Sequence, residues 1–187
     1  LRLQQITSGF LPVEGDKDGT TNLQQIDTSK QGLLADLLED FPAHEPLVVF
    51  FRFIHDADAI RQEVEAASRR YYELSGRINQ LEDWKTEHSG DLPASVIAVQ
   101  IRAGGAGVDL TRACYCVYYS LGFSLGDYDQ SRRRINRPGQ TRPVRFYHLI
   151  ANGTVDEKVY AALKAKTDVV SHIVDGMKLE AVQGSRR

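Results

Sequence analysis

The chain has 187 residues, with 23 Lys and Arg against 25 Asp and Glu and a net charge of −2 at pH 7. That length allows one domain with a true core, or one domain with extensions. The near-even balance excludes a protein coated in basic charge, and no apolar run is long enough for a bilayer span or a secretory leader. The chain opens on Leu1 rather than Met, so it is expected to be a piece of a longer polypeptide.

Residues 1–28 read as a linker. An apolar repeat from Leu1 to Leu11 suits the end of a helix, and Glu14 to Thr21 is a polar, glycine-containing loop. From Ser29, Leu33, Leu34, Leu37 and Leu38 fall at helical core spacing, and the pattern ends near Pro42. Leu47 to Phe51 is a continuous apolar run, which predicts a strand buried on both faces. Asp56 is the expected cap of a helix through about Arg70, with Ala59, Ile60, Val64 and Ala67 as its inner stripe. Tyr71 to Leu74 is a short strand before Ser75-Gly76, and a helix covers Asn79 to His88. Ser95 to Ile101 and Cys114 to Tyr119 are further strands, Leu125 to Asn136 a helix, Val144 to Ala151 a strand. Thr154 and Glu157 form a capping box for a helix through Thr167, with Val155, Val159 and Leu163 turned inward. Residues 175–187 are expected to form a tail. Strands alternating with helices predict an α/β fold with a mostly parallel sheet and helices on both faces.

Cys114 and Cys116 would share one face of a strand, which does not suit a mutual disulfide, and so few cysteines suit a reducing compartment. The five histidines have no metal-ligand spacing, so no metal site is expected. The charge is concentrated instead. Between Gln130 and Arg145 stand six arginines and no acid. In the predicted helix Gln130, Arg134 and Arg137 occur at i, i+4 and i+7, on one face. A guanidinium stays charged and offers a planar fork of donors that matches phosphate oxygens.

Glycines cluster upstream, in Gly104-Gly105-Ala106-Gly107, with Asp109 next. No Gly-Lys pair exists, so this is not a P-loop. Leu110 stands where a dinucleotide fingerprint needs its third glycine. Clustered glycines still let backbone N–H groups approach an anion closely. Plainer roles stay open for each residue. The arginines could form a solvated or ion-paired face, Asp109 a cap, Arg52 an ion pair and Gly76 a turn.

Ala103 to Thr111, Gln130 to Gln140, Pro143-Val144-Arg145 and Gly153 to Lys158, in this order, resemble the carboxy-terminal helicase lobe of the Swi/Snf family in helicase superfamily 2. The first stretch is similar to its fifth motif and the second to its sixth. Leu47 to Phe53 resembles the fourth, and Tyr72 to Gly76 the strand and glycine that follow it. Ser124-Leu125-Gly126-Asp127-Tyr128 is similar to the bacterial and prophage branch, whose proteins are cytoplasmic.

The resemblance implies a RecA-like second lobe over residues 29–174, belonging to a DNA-dependent ATPase. ATP and magnesium would be held mainly by a first lobe of the same polypeptide, so the isolated piece is expected to be inactive. Arg134 and Arg137 would be the catalytic fingers; Gln130, Gly107 and Asp109 would face the nucleotide. Arg102, Gly104, Gly105, Thr111, Arg52 and Gly76 would lie along DNA, with no membrane partner. Gln100 and Ile101 depart from the family, which usually has Ser-Thr there. The alternatives are a non-catalytic nucleic-acid or protein-binding module, or an RNA helicase lobe.

Overall fold

The computed structural model describes residues 1–14, 21–87, 93–103 and 107–167. The chain begins with helix α1 (Arg2–Thr7), followed by an antiparallel hairpin of β1 (Phe10–Glu14) and β2 (Thr21–Gln25). Helix α2 (Ser29–Asp40) leads to β3 (Leu47–Phe51), α3 (Ile54–Ala66), β4 (Tyr71–Leu74), α4 (Leu81–Thr86) and β5 (Val96–Gln100). Then come β6 (Tyr115–Tyr118), α5 (Leu125–Arg133) and β7 (Arg145–His148). A helix α6 runs from 155 to at least 167.

Five strands form one sheet in the order β4-β5-β3-β6-β7, and every pairing is parallel. β3 lies at the centre, with Leu47 in register with Val96 on one side and Tyr115 on the other. All five of its residues are fully buried, which is why its sequence is apolar without alternation. Successive side chains point to opposite faces. Val48, Phe50, Ile97, Val99, Cys116 and Tyr118 pack against Trp84, Tyr128, Ile135, Val159 and Leu163. Leu47, Val49, Phe51, Ala98 and Val117 pack against Leu34 and Leu38 of α2 and Ala57, Ile60 and Val64 of α3. Truncating one of these, such as Leu34→Ala, costs about 2–5 kcal/mol. Helices therefore cover both faces, as the sequence predicted.

Several boundaries differ from expectation. α3 starts at Ile54, so Asp56 is not the cap but lies in the first turn, where its carboxylate accepts the Phe53 N–H at 2.9 Å. Ala57 joins Ile60 and Val64 in its buried stripe, and Ala59 and Ala67 pack partly buried against the same cluster. α5 ends at Arg133, three residues short of Asn136, with Arg134 as its C-cap. The residue before a proline is driven away from helical geometry, so Pro138 restricts Arg137 but not the end at Arg133. Within residues 1–28 the helix expected in Leu1 to Leu11 is α1, while the strands β1 and β2 stand where only a linker was expected. Of the loop expected from Glu14 to Thr21, Glu14 ends β1 and Thr21 begins β2, and residues 15–20 lie outside the described residues, as do the tail at 175–187 and residues 90–92 of the expected break at Gly90 to Pro93. Both cysteines are free and buried.

Candidate functional site

Parallel strands place their following loops at one edge of the sheet, and ligand sites of α/β sheets gather there. The predicted residues fall in two regions: a pair of turns that lead into the starts of β6 and β7, and a cavity at that edge.

The first is a pair of turns. In one, Gly107 has φ +113°, a left-handed geometry that suits glycine. Asp109 follows and accepts both the backbone N–H of Thr111 at 2.9 Å and its hydroxyl at 2.7 Å. These two bonds, with the Arg137 charge as a smaller contribution, hold the Asp109 carboxyl below its ordinary pKa. Asp109 is thus an anion that ties a turn, not the cap of a helix.

The second turn runs from Arg134 to Gln140. It is sewn to the first by three bonds. Leu110 N–H donates to the Arg134 carbonyl at 2.9 Å. The Gln140 side-chain amide donates to the carbonyls of Thr111 at 2.9 Å and Ala113 at 3.0 Å.

The arginine face is corrected at this point. α5 stops at Arg133 with Arg134 as its C-cap in helical geometry, so Gln130 and Arg134 keep their i, i+4 relation while Arg137 lies beyond the helix. Arg134 is only 5% exposed, and its guanidinium donates to the Ile101 carbonyl at 3.4 Å. Burial lowers its pKa. Arg137 is exposed, and among the described residues its guanidinium makes no hydrogen bond or ion pair. Gln130 is exposed on α5. The remaining arginines are largely occupied. Arg132 lies over Tyr128 and Phe146, Arg142 pairs with Glu45 at 2.6 Å, and Arg145 covers Tyr115.

The second region is a cavity of about 480 Å³ at the ends of β3, β5 and β6. Arg52, Gln100, Arg102, Phe123, Ser124 and Asp127 line it, and Leu1 and Gln5 border it from α1. Arg102 is exposed and pairs with Asp127 at 2.9 Å. Arg52 is half-buried, and its guanidinium donates to the Gln4 side chain of α1 at 2.8 Å. Desolvation, followed by the neighbouring Arg102 charge, lowers the Arg52 pKa. Gly122 gives the Arg52 side chain room, since a Cβ there would stand 2.6 Å from its Nη1. Gly76 is adjacent, tied to Gln100. The structure therefore brings Arg52, Gly76 and Arg102 to one area, whereas Thr111 belongs to the Asp109 turn. Gly104 and Gly105 lie outside the described residues.

The cavity wall at α1 is firmly fixed. Gln4 also donates to the Leu121 carbonyl at 3.1 Å. The Thr7 hydroxyl donates to Asp156 at 3.0 Å, and Asp156 pairs with buried Lys30 at 2.6 Å. Lys30 in turn donates to the Tyr119 carbonyl at 3.1 Å. Behind Arg52, buried Asp56 accepts the Ser120 hydroxyl at 2.5 Å, and Ser120 accepts the Arg52 N–H at 2.8 Å. Burial raises the Asp56 pKa.

Sequence reasoning missed Gln4, Asp127 and Gln140 as parts of these regions. A glutamine has no charge signature, and Gln4 meets Arg52 across 48 residues. Asp127 was legible only as a residue of the stretch before the arginines.

A five-stranded parallel sheet bearing these paired turns defines a RecA-like α/β lobe. Residues 29–139 match the family described as the helicase conserved C-terminal domain, and the chain belongs to that family. It is 28% identical over 93% of its length to a fungal chromatin-remodeling ATPase INO80 from Mycosarcoma maydis. It is 29% identical over 72% of its length to a Drosophila melanogaster protein named as a SWI/SNF-related regulator of chromatin containing DEAD/H box 1. It is 27% identical over 85% of its length to the mouse DNA annealing helicase and endonuclease ZRANB3. Its relatives thus include ATPases of the SNF2 family. The chain spans 9%, 16% and 15% of those three proteins respectively. The C-terminal part of the Fun30 ATPase domain has the same fold, with a TM-score of 0.61 and 21% identity, over 72% of this chain and 44% of that one. Among the described residues, no helix is long and apolar enough to cross a membrane.

Proposed function

We propose that this chain is the second motor lobe of an ATP-dependent DNA translocase of the SNF2 kind, working with a first lobe of the same polypeptide. One observation carries the reading. In a member of the helicase C-terminal family, Arg137 stands exposed near Asp109 and, among the described residues, without an ion-pair partner, on a turn braced from behind. When bound, ATP supplies a phosphoryl group on which negative charge develops during transfer. Arg137 acts as the finger that meets this charge. Arg134 acts from beneath, holding the turn at Ile101 and Leu110 and so aiming Arg137. Gln130, Gly107 and Asp109 border the nucleotide. ATP and magnesium are assigned mainly to the first lobe in this reading.

Arg52, Gly76 and Arg102, with Gly104, Gly105 and Thr111, form the DNA-facing surface in this reading. The placement in the cytoplasm of a bacterium, or in a prophage, rests on residues 124–128 alone and is part of the proposal. The test is DNA-stimulated ATP hydrolysis by the full-length protein carrying Arg137→Ala. A loss of about 10³-fold or more is expected. Turnover close to that of the unaltered protein would remove Arg137 from the finger role.

A second reading, a nucleic-acid-binding module without an ATP cycle, draws on the cavity, where Arg52 and Arg102 meet without help from another lobe. DNA binding that persists with no hydrolysis under any nucleic-acid stimulus would favour it.

A further inference from the structure

We infer that Gln100 is a positioning residue that fixes the spacing of the DNA-facing loops. The inference rests on the reading of that surface as nucleic-acid-binding. Gln100 ends β5, which lies between β4 and β3. Its side-chain oxygen accepts the Gly76 N–H at 3.0 Å, just beyond β4. Its side-chain nitrogen donates to the Arg52 carbonyl at 3.3 Å, just beyond β3. One planar amide therefore spans the ends of three adjacent strands, and only this orientation satisfies both partners.

The groups it holds matter for the surface. The Arg52 backbone, gripped by Gln100 at its carbonyl and by Ser120 at its N–H, sets where the Arg52 guanidinium emerges. Gly76 offers no side chain, so the Gln100 bond to its N–H replaces the packing that a side chain would give. Arg102 follows Gln100 by two residues and lines the same cavity. Serine or threonine at position 100 is too short to reach both partners at once. The amide bridge thus ties the loop after β4 to the loop after β3.

The test uses the full chain, a short labelled DNA duplex and hydrogen exchange at the Gly76 amide. Gln100→Met keeps the volume and removes both hydrogen bonds. It is expected to speed Gly76 exchange and weaken duplex binding about tenfold. The salt dependence of binding should fall by about one phosphate contact, although no charge has been removed. Combined with Arg52→Ala, Gln100→Met should add little further loss, because both act through one contact. Should Gln100→Met not fold, Gln100→Glu replaces it, keeping the acceptor for Gly76 and losing the donor to Arg52. Gln100→Glu should leave Gly76 exchange slow and still be non-additive with Arg52→Ala. Unchanged affinity with a lowered melting temperature, or losses that multiply with Arg52→Ala, would overturn the inference. Equal duplex binding by the unaltered protein, Arg52→Ala and Arg102→Ala would instead overturn the DNA-binding reading, while slow Gly76 exchange would still report the amide bridge.

Discussion

The paired turns and the cavity present their cations differently. At the paired turns one arginine is buried and the next, Arg137, is left open, with the turns joined through backbone carbonyls. In the cavity each arginine already has a partner, Gln4 for Arg52 and Asp127 for Arg102. An incoming phosphate meets a ready charge at the first region. At the second it must exchange places with a side chain. In the proposed function this suits a nucleotide side that needs a rigid, prearranged charge, and a DNA side that binds and lets go as it moves.

The sharpest way to break this contrast is to compare Arg137→Ala with Arg134→Ala. The former should abolish stimulated hydrolysis, as above, and leave the melting temperature nearly unchanged. The latter removes a buried donor and should cost about 1–3 kcal/mol in denaturant unfolding. Equal stability losses would mean that the two arginines do not differ as the structure has them.

Lys30→Met probes the clamp that seats α1. It leaves Asp156 without its cation and should cost about 3 kcal/mol, since breaking a buried pair from one side is strongly destabilising. It should also loosen the hold of Gln4 on Arg52, seen as faster amide exchange in α1.

A pH effect of similar size belongs to the seat of α5. His148 stacks on Tyr118 with ring centroids 4.9 Å apart and meets the Tyr128 hydroxyl at 3.0 Å. Burial, with the Arg132 charge second, lowers its pKa to about 4. The folded state thus prefers neutral imidazole. Its contribution is complete above the unfolded value near 6.5 and is lost as pH falls from there to about 4, by about 3 kcal/mol. His148→Phe should flatten that part of the stability curve relative to the unaltered protein.

The smallest expected effect is at Asp127→Asn. The exposed pair with Arg102 contributes under about 1 kcal/mol to stability. Freeing Arg102 should nevertheless tighten DNA binding a few-fold at low salt. Weaker binding would mean that Asp127 aims Arg102 rather than occupying it.

Much of this was legible in the chain. The apolar run 47–51 announced a central strand, and the alternation of helices and strands gave the layered α/β fold. The motifs pointed to both regions. What stayed hidden follows from physical causes. The hairpin at 10–25 mixes polar residues with Pro12, so it carries no clean alternation. Pro138 restricts only Arg137 before it, so the end of α5 at Arg133 carried no mark in the sequence. The glutamine bridges at positions 4, 100 and 140 connect segments distant in sequence, and an uncharged amide has no pattern that reveals its partner.

The three bonds joining the 107–113 and 134–140 turns have a mechanical corollary. Such a splice leaves little room for one turn to slide past the other, so a push on the Arg137 side travels onward as the displacement of a solid block. Information about the nucleotide would then pass through the lobe as leverage, without any segment having to melt.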